Sequence, residues 1–570
     1  MPKRTVVFVI FTVLAVLLLS TTAGAQSSIP RGGTFLVSEG QQAAFTSNFN
    51  PYAPDPTRWT QGTMYELLIL YNPVEGGAYT PWLATGYEWS DDLLTLTFTM
   101  NPDAKWNDGT PLTAEDVVFT FNMIKANPAM DRGAILGFID SAEAVDGKVQ
   151  FNLSQVYTLA PEVIGGNLYI VPAHAWADVE DPVTFTNPPP VVASGMLTDV
   201  KAVNEQVLEI CRNPNYWQMG EDGLPLPYVN CMRMPVYPGN DPANLAAVNG
   251  ELDWIGNFIA DIDATFVAAN PEKHHYYFWP GGGPVSLYMN TTKAPFNDVN
   301  FRAALSAAVD YEAVTNIGMY GYTEPINPTG LGPRWANWIN PEAEALAAEM
   351  GLGKYNPELA AAKLDDAGYV DANGDGWRDL PDGSSLNFKV QVVNGWTDWV
   401  TSVQIMSQNF QDVGLNAVID VLDFGVWFAN LQNGTFDTSI GWGSGGNTPY
   451  DHFRNLMYSG LIGADGLANA QLWGRWTSPE ADALIDAFTK TADEAEWRDI
   501  SNKLQMLAVE NVVTVPLFPG PTWYEWTTHR FTGFPTREDY YTQGSPWNVQ
   551  GRTITLTRIH CLPDVPGACD

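Results

Sequence analysis

Gly109-Thr110-Pro111-Leu112-Thr113-Ala114-Glu115-Asp116-Val117-Val118-Phe119-Thr120-Phe121-Asn122 marks the place where a turn becomes a helix. Thr113 suits an N-cap, and Glu115 and Asp116 put acids in the first turn, close to a capping box. The helix runs on through Val117, Val118, Phe121 and Ile124, an apolar stripe at helical spacing. Before it, residues 94–100 alternate as a half-buried strand does, and residues 34–38 read as another strand. Residues 64–68 read as part of a helix. Asn187-Pro188-Pro189-Pro190 predicts a stiff crossover. After the opening motif, residues 287–290 read as a strand and residues 300–310 as an amphipathic helix carrying Phe301, Leu305 and Val309. Gly281-Gly282-Gly283, just ahead, fits either a hinge or a tight turn. From residue 356 onward helix and strand alternate: helix 360–367, strand 387–393, helix 403–413, strand 416–421 and strand 438–440, which ends in a glycine-rich loop. Such alternation predicts an α/β fold. There is no internal repeat.

The N-terminus sets the compartment. Lys3 and Arg4 precede an apolar run at residues 6–19, and Ala23-Gly24-Ala25 offers an Ala-x-Ala cleavage site, so residues 1–25 are expected to be a secretory signal peptide. An uncleaved anchor is the rival, but the apolar run is shorter than the ~20 residues a membrane span needs. No cysteine stands near the cleavage site to carry a lipid. The protein is therefore expected outside the cytoplasm, in a periplasm or its equivalent. Residues 26–570 exceed what one hydrophobic core organises, which predicts two or three lobes. Four cysteines in an exported chain suggest disulfides, and local pairing of Cys211 with Cys231 and of Cys561 with Cys569 is favoured among three possible pairings. With 64 acidic against 28 basic residues the net charge is −36, which repels nucleic acid and fits a solubility role. The 21 Trp and 23 Tyr exceed what cores usually need and point to a wet aromatic cleft.

The opening motif resembles the signature segment of the family 5 extracytoplasmic solute-binding proteins. Four further matches follow in the family's order. They are Tyr288-Met289-Asn290 with Pro295-Phe296-Asn297-Asp298, Arg302-Ala303-Ala304-Leu305 and Ala308-Val309-Asp310; Ala361-Ala362-Lys363-Leu364 with Ala367-Gly368-Tyr369; Phe436-Asp437 leading to Gly441-Trp442; and Val515-Pro516-Leu517. The resemblance implies an α/β, two-lobed periplasmic-binding-protein fold of type II, in the large cluster C form, with an extra subdomain in the first lobe. Lobe I would comprise residues 26–66, 190–283 and 516–570, the accessory subdomain 67–189, and lobe II 284–515. It also implies a monomeric, non-enzymatic receptor that closes around its ligand, needs no cofactor, and hands the ligand to a membrane permease with ATPase subunits.

Strand 438–440 delivers Trp442 to a strand's carboxyl end, where open α/β sheets bind ligands. Gly443, Gly445 and Gly446 let backbone approach a ligand closely. Peptide binders of the family typically carry an Asp three residues after the Gly-Trp pair, to hold the α-ammonium; here that position is Gly445. Leaving an ammonium unpaired in a closed cleft is costly. Instead Ser444, Asn447, Thr448, Tyr450 and Asp451 suit hydroxyl groups, and the loop resembles that of cellobiose and β-oligosaccharide binders. Sugars present C–H faces to aromatic rings and hydroxyl edges to polar groups. The expected ligand is thus an oligosaccharide; the alternatives are a peptide, or a secreted carbohydrate-active enzyme. Trp59, Trp279, Trp396 and Trp523 are further cleft candidates, with Trp59 balanced between packing and contact and Trp523 between cleft and lobe interface. Trp427 reads as core.

One loop points to calcium. Asp371, Asn373, Asp375, Trp377 (through its carbonyl), Asp379 and Asp382 stand at the spacing of an EF-hand loop, with Gly376 at the sharp turn. Asp in place of Glu at the last position shortens the bidentate arm, and a metal-free acidic turn is the alternative. No zinc-protease, serine-hydrolase or phosphate-loop motif occurs.

Overall fold

The computed structural model describes residues 29–40, 44–131, 133–279, 281–463, 466 and 472–570; the signal-peptide reading of residues 1–25 falls outside them. Three sheets dominate. A seven-stranded sheet runs in the order His274–Tyr276, Glu525–Thr527, Trp254–Ile255, Thr34–Ser38, Cys231–Pro235, Val207–Arg212, Leu197–Val203. A four-stranded antiparallel sheet holds Ala84–Trp89, Thr95–Met100, Lys148–Leu153 and Ile139–Val145. A five-stranded sheet runs Asn416–Leu422, Asn387–Val393, Thr438–Trp442, Pro284–Met289, Val515–Pro519. The apolar residues follow the same division. One large core gathers side chains from residues 35–234 with others from 254 and 524–568, and a second gathers residues 285–518. The fold is therefore two-lobed and mixed α/β.

The sequence motifs act as structural ties. Helix Ala114–Ala126 starts where expected, and Asp116 is buried at its first turn. Its carboxylate accepts from the Thr113 N–H at 3.0 Å, the Trp106 indole at 3.3 Å and the Ala173 N–H at 2.9 Å, so one acid caps the helix and pins two other segments. Arg302, on helix Val299–Ala308, is buried and donates to the carbonyls of Phe296, Asn511 and Val512. One bond from each of its three nitrogens anchors a guanidinium deep in lobe II. Cys211 and Cys231 lie directly opposite each other on antiparallel strands and are bonded, as are Cys561 and Cys569; these are the two local pairs favoured above.

The helix expected at residues 64–68 does not form. Residues 63–70 are buried on every side and lead into the strand Ile69–Asn72. Their carbonyls go to distant partners, Met64 to Gly195, Glu66 to Ile170 and Leu68 to Ala84, rather than along a helix. A segment buried all round leaves no amphipathic period to read. The helix expected from residue 403 starts earlier, at Thr397, just after Gly395 takes a left-handed φ of 82°.

The chain passes between the two large sheets twice, and the two passages run side by side. Trp279 bridges Thr522, Pro284 pairs with Pro519, and the Gly520 N–H donates to the Gly283 carbonyl at 2.8 Å. A Cβ on Gly282 would stand 1.9 Å from the Gly520 oxygen, and one on Gly283 2.4 Å from the Gly443 oxygen. The triple glycine is thus where three backbones meet, with no room for side chains. No helix among the described residues is long and apolar enough to cross a membrane.

Candidate ligand-binding site

Strand Thr438–Trp442 occupies the middle of the five-stranded sheet, parallel to Asn387–Val393 and antiparallel to Pro284–Met289. Its last residue, Trp442, is half-buried, and its carbonyl accepts from the Tyr288 hydroxyl at 3.0 Å. Its ring lies nearly parallel to Phe424 (9°) and Phe428 (16°), edge-on to Trp473, and within 6.2 Å of Trp396. Beneath them Trp427 and Trp473 are fully buried, and the Trp427 indole donates to the Ser439 hydroxyl at 2.9 Å. Trp427 is therefore core, as read above. The half-buried rings of Trp396, Phe424, Phe428 and Trp442 form the outer layer of this aromatic block.

The loop beyond Trp442 is fixed by backbone and polar contacts. The Gly443 N–H donates to the Pro284 carbonyl at 2.6 Å, and Asn455 donates to the Ser444 hydroxyl. Gly446 holds a φ of 156°, and a Cβ there would lie 3.0 Å from an Asp451 carboxylate oxygen. Asn447 packs so closely on Gly77 that a Cβ on that glycine would fall 2.4 Å from it. Tyr450, buried at the start of helix Tyr450–Met457, shares a 3.0 Å hydrogen bond with the Tyr157 hydroxyl. The loop therefore reaches across to the segment that holds Gly77 and Tyr157.

A charged cluster lies beside it. Arg334 donates to the Gly281 carbonyl (3.3 Å) and to Asn447 Oδ1 (3.4 Å), and its guanidinium lies 5.5 Å over the Trp279 ring. Burial pushes the Glu162 carboxyl up to about 7, Asp451 adds to the rise, and Arg334 opposes it. Burial also raises Asp451, against the pull of Arg454 and Arg334.

The structure thus places the expected residues in separate groups. Trp396 joins Trp442. Trp279, Gly445, Asn447 and Asp451 gather around Arg334. Trp523 packs on Phe258, Phe278 and Tyr322, and the Tyr322 hydroxyl donates to the Ile259 carbonyl, so this group lies where the two lobes touch. Trp59 stands apart, in the core with Phe35 and Trp254, its indole paired with Glu39 and its face under Arg552. Sequence reading missed Arg334, Glu162, Phe424 and Phe428. The signal for Arg334 was only its place after Gly332-Pro333 in a chain poor in basic residues.

In the 371–382 loop the acids serve the backbone. Asp371 accepts from the N–H groups of Gly374, Asp375 and Gly376; Asp375 accepts from Trp377; Asp379 accepts from Ala372 and from the Asn373 amide; Asp382 accepts from Ser384. Among the described residues, the one group of three metal-capable side chains within ligating reach of one another is Glu209 with Cys211 and Cys231, and those cysteines are disulfide-bonded. An open depression of about 550 Å³, lined by Asp365, Asp371, Arg378 and Asp412, adjoins this loop rather than the aromatic block.

Two lobes joined by paired crossings, with an aromatic block and a glycine loop at the end of a central strand, define a solute-binding protein. Residues 78–464 match the bacterial extracellular solute-binding proteins, family 5 Middle, and the chain belongs to that family. Among solved structures, a periplasmic oligopeptide-binding protein of an oligopeptide ABC transporter from Thermotoga maritima, with mannohexaose bound, is similar at a TM-score of 0.86 and 25% identity, over 94% of this chain and 100% of that one. The peptidoglycan-binding protein YepA of Agrobacterium fabrum is 24% identical over 504 residues, 80% of this chain and 79% of its own length. The nickel-binding periplasmic protein of Escherichia coli is 24% identical over 480 residues, 81% of this chain and 85% of its own. Family 5 solute-binding proteins are non-enzymatic transport receptors that serve the permease and ATPase subunits of ABC importers. This chain is such a receptor.

Proposed function

We propose that the receptor captures an oligosaccharide in the cleft between its lobes, with lobe II spanning residues 284–515 and residues 67–189 standing as an accessory part of lobe I. The observation that carries this reading is the half-buried layer of Trp396, Phe424, Phe428 and Trp442 beside a loop of small and polar residues. Flat apolar rings next to hydroxyl and amide groups complement a sugar's C–H face and hydroxyl edge. The mannohexaose bound in the Thermotoga protein supports the same class. Calorimetric titration with cellobiose, xylobiose, laminaribiose, mannobiose and manno-oligosaccharides, alongside a panel of di- and tripeptides, tests it. Saturable binding of one sugar series that is lost in Trp442→Ala, with peptides silent, supports the proposal; peptide binding with silent sugars overturns it. A peptide receptor is the second reading, favoured by the Glu162 and Asp451 carboxylates near the loop. We also propose a structural calcium at residues 371–382, on the donor spacing of that loop.

A further inference from the structure

Arg334 occupies the space that the absent side chain of Gly445 leaves open. A Cβ built on Gly445 would lie 3.4 Å from Arg334 Nη1, ordinary contact distance, and among the described residues no other atom beyond its chain neighbours comes within 4 Å. The guanidinium is half-buried, reaches the Gly281 carbonyl on one side and Asn447 on the other, and covers the Trp279 ring. Those two hydrogen bonds, at 3.3 and 3.4 Å, are its only ones among the described residues, and both are long. A guanidinium has five N–H donors and no acceptor, so most of its capacity is left over. Such a group, set on an aromatic face beside a glycine loop, is built to donate to something that is not protein.

The neighbouring charges divide unequally. Burial raises the Asp451 carboxyl, and the charges of Arg454 first and Arg334 second oppose that rise, so two guanidinium groups act on it. Glu162 faces the same pair of residues from the accessory segment, where burial and Asp451 favour its protonated form. Arg334 is the charged group that reaches the Gly445 face of the loop, 3.4 Å from where a Cβ there would stand.

We propose that Arg334 is a specificity-determining residue that selects a ligand end bearing hydroxyl or other acceptor oxygens and rejects one bearing an ammonium group. This deepens the oligosaccharide reading, and its test separates the two. The probes are matched pairs that differ by one charge: neutral cello- and manno-oligosaccharides against their 2-amino-2-deoxy counterparts, and N-acetylated against free-amine di- and tripeptides. Each is titrated by calorimetry at a pH where the amine is protonated. Wild type is expected to prefer the neutral member of whichever pair binds by more than about tenfold, since facing like charges repel across a desolvated contact. Arg334→Gln, which keeps a donor but loses the charge, is expected to shrink that gap to about twofold, and Arg334→Lys to preserve it. A melting curve for each variant checks folding, and the ratio within a pair is a readout that a purely structural role leaves unmoved. If peptides alone bind, the oligosaccharide reading fails; preference for the acetylated peptide then still supports Arg334, and preference for the free amine overturns it. An unchanged ratio in a folded Arg334→Gln protein overturns it in either class.

Discussion

Thr158→Val isolates the contribution of the seam between the accessory segment and lobe II to ligand affinity. The Thr158 hydroxyl lies 2.8 Å from the Thr491 carbonyl and 3.1 Å from the Thr489 carbonyl, while its backbone N–H donates to Thr489 at 2.7 Å. Valine keeps the shape and the backbone bond and deletes the hydroxyl. One hydroxyl proton is shared between two carbonyls, so the loss counts as one hydrogen bond plus the burial of an acceptor left unpaired, about 1–2 kcal/mol. Any opening that separates the lobes breaks this contact and returns both carbonyls to water. The whole cost therefore falls on the closed state, and the apparent Kd for the sugar that saturates wild type is expected to rise about 5- to 30-fold. Tyr157→Phe, which removes the 3.0 Å bond to Tyr450, should add a further factor of about 5. Calorimetry supplies the Kd, small-angle scattering the extent of closure with ligand, and thermal melting of the ligand-free protein the control for folding. A Kd within twofold of wild type in both variants, with melting unchanged, would refute the idea that this seam takes part in closure.

Removing the Cys211–Cys231 bridge as Cys211→Ser with Cys231→Ser opens a loop with a sequence separation of 20, and should cost about 3 kcal/mol in denaturant unfolding. Glu66 is buried among the Trp82, Tyr216 and Trp217 donors, and burial lifts its carboxyl from 4.5 to about 7. The folded state thus holds this proton more tightly than the unfolded chain. The resulting stability is fully present below about pH 4.5 and is lost as pH rises through about 7, a change of about 3 kcal/mol. Unfolding free energies at pH 5 and pH 8 should differ less in Glu66→Gln than in wild type; equal slopes would sink the assignment. Calcium at ten times its Kd should stabilise the protein by about 1.4 kcal/mol, an effect lost in Asp371→Ala, and identical melting in calcium and in chelator would dispose of that site.

Much of the fold was legible because its signals are local. Thr113 and Asp116 cap a helix within one turn, Cys211 and Cys231 end and begin alternating runs that prove to be neighbouring strands, and Trp442 follows a strand directly. What escaped the sequence depends on distant partners. Met64, Glu66 and Leu68 give their carbonyls to Gly195, Ile170 and Ala84, so no local rule could place them. Trp59 is settled by Glu39 and Arg552, from opposite ends of the chain. The aromatic block brings Phe424, Phe428 and Trp473, which carry no signal in their own stretches, to Trp396 and Trp442, and Arg334 matters only because Gly281, Gly445 and Asn447 converge on it.

The paired crossings also set an order of events during synthesis. Everything needed for the five-stranded sheet has left the ribosome once Pro519 emerges. The seven-stranded sheet has no such luck, since Glu525–Thr527 must slot between Trp254–Ile255 and His274–Tyr276, strands made hundreds of residues earlier. Until then lobe I carries a gap with two unpaired strand edges, the kind of surface that seeks wrong partners. A nascent chain stopped just short of residue 525 should therefore hold a protease-resistant lobe II and a sensitive lobe I, and residues 525–527 act as the key that closes strands made long before them.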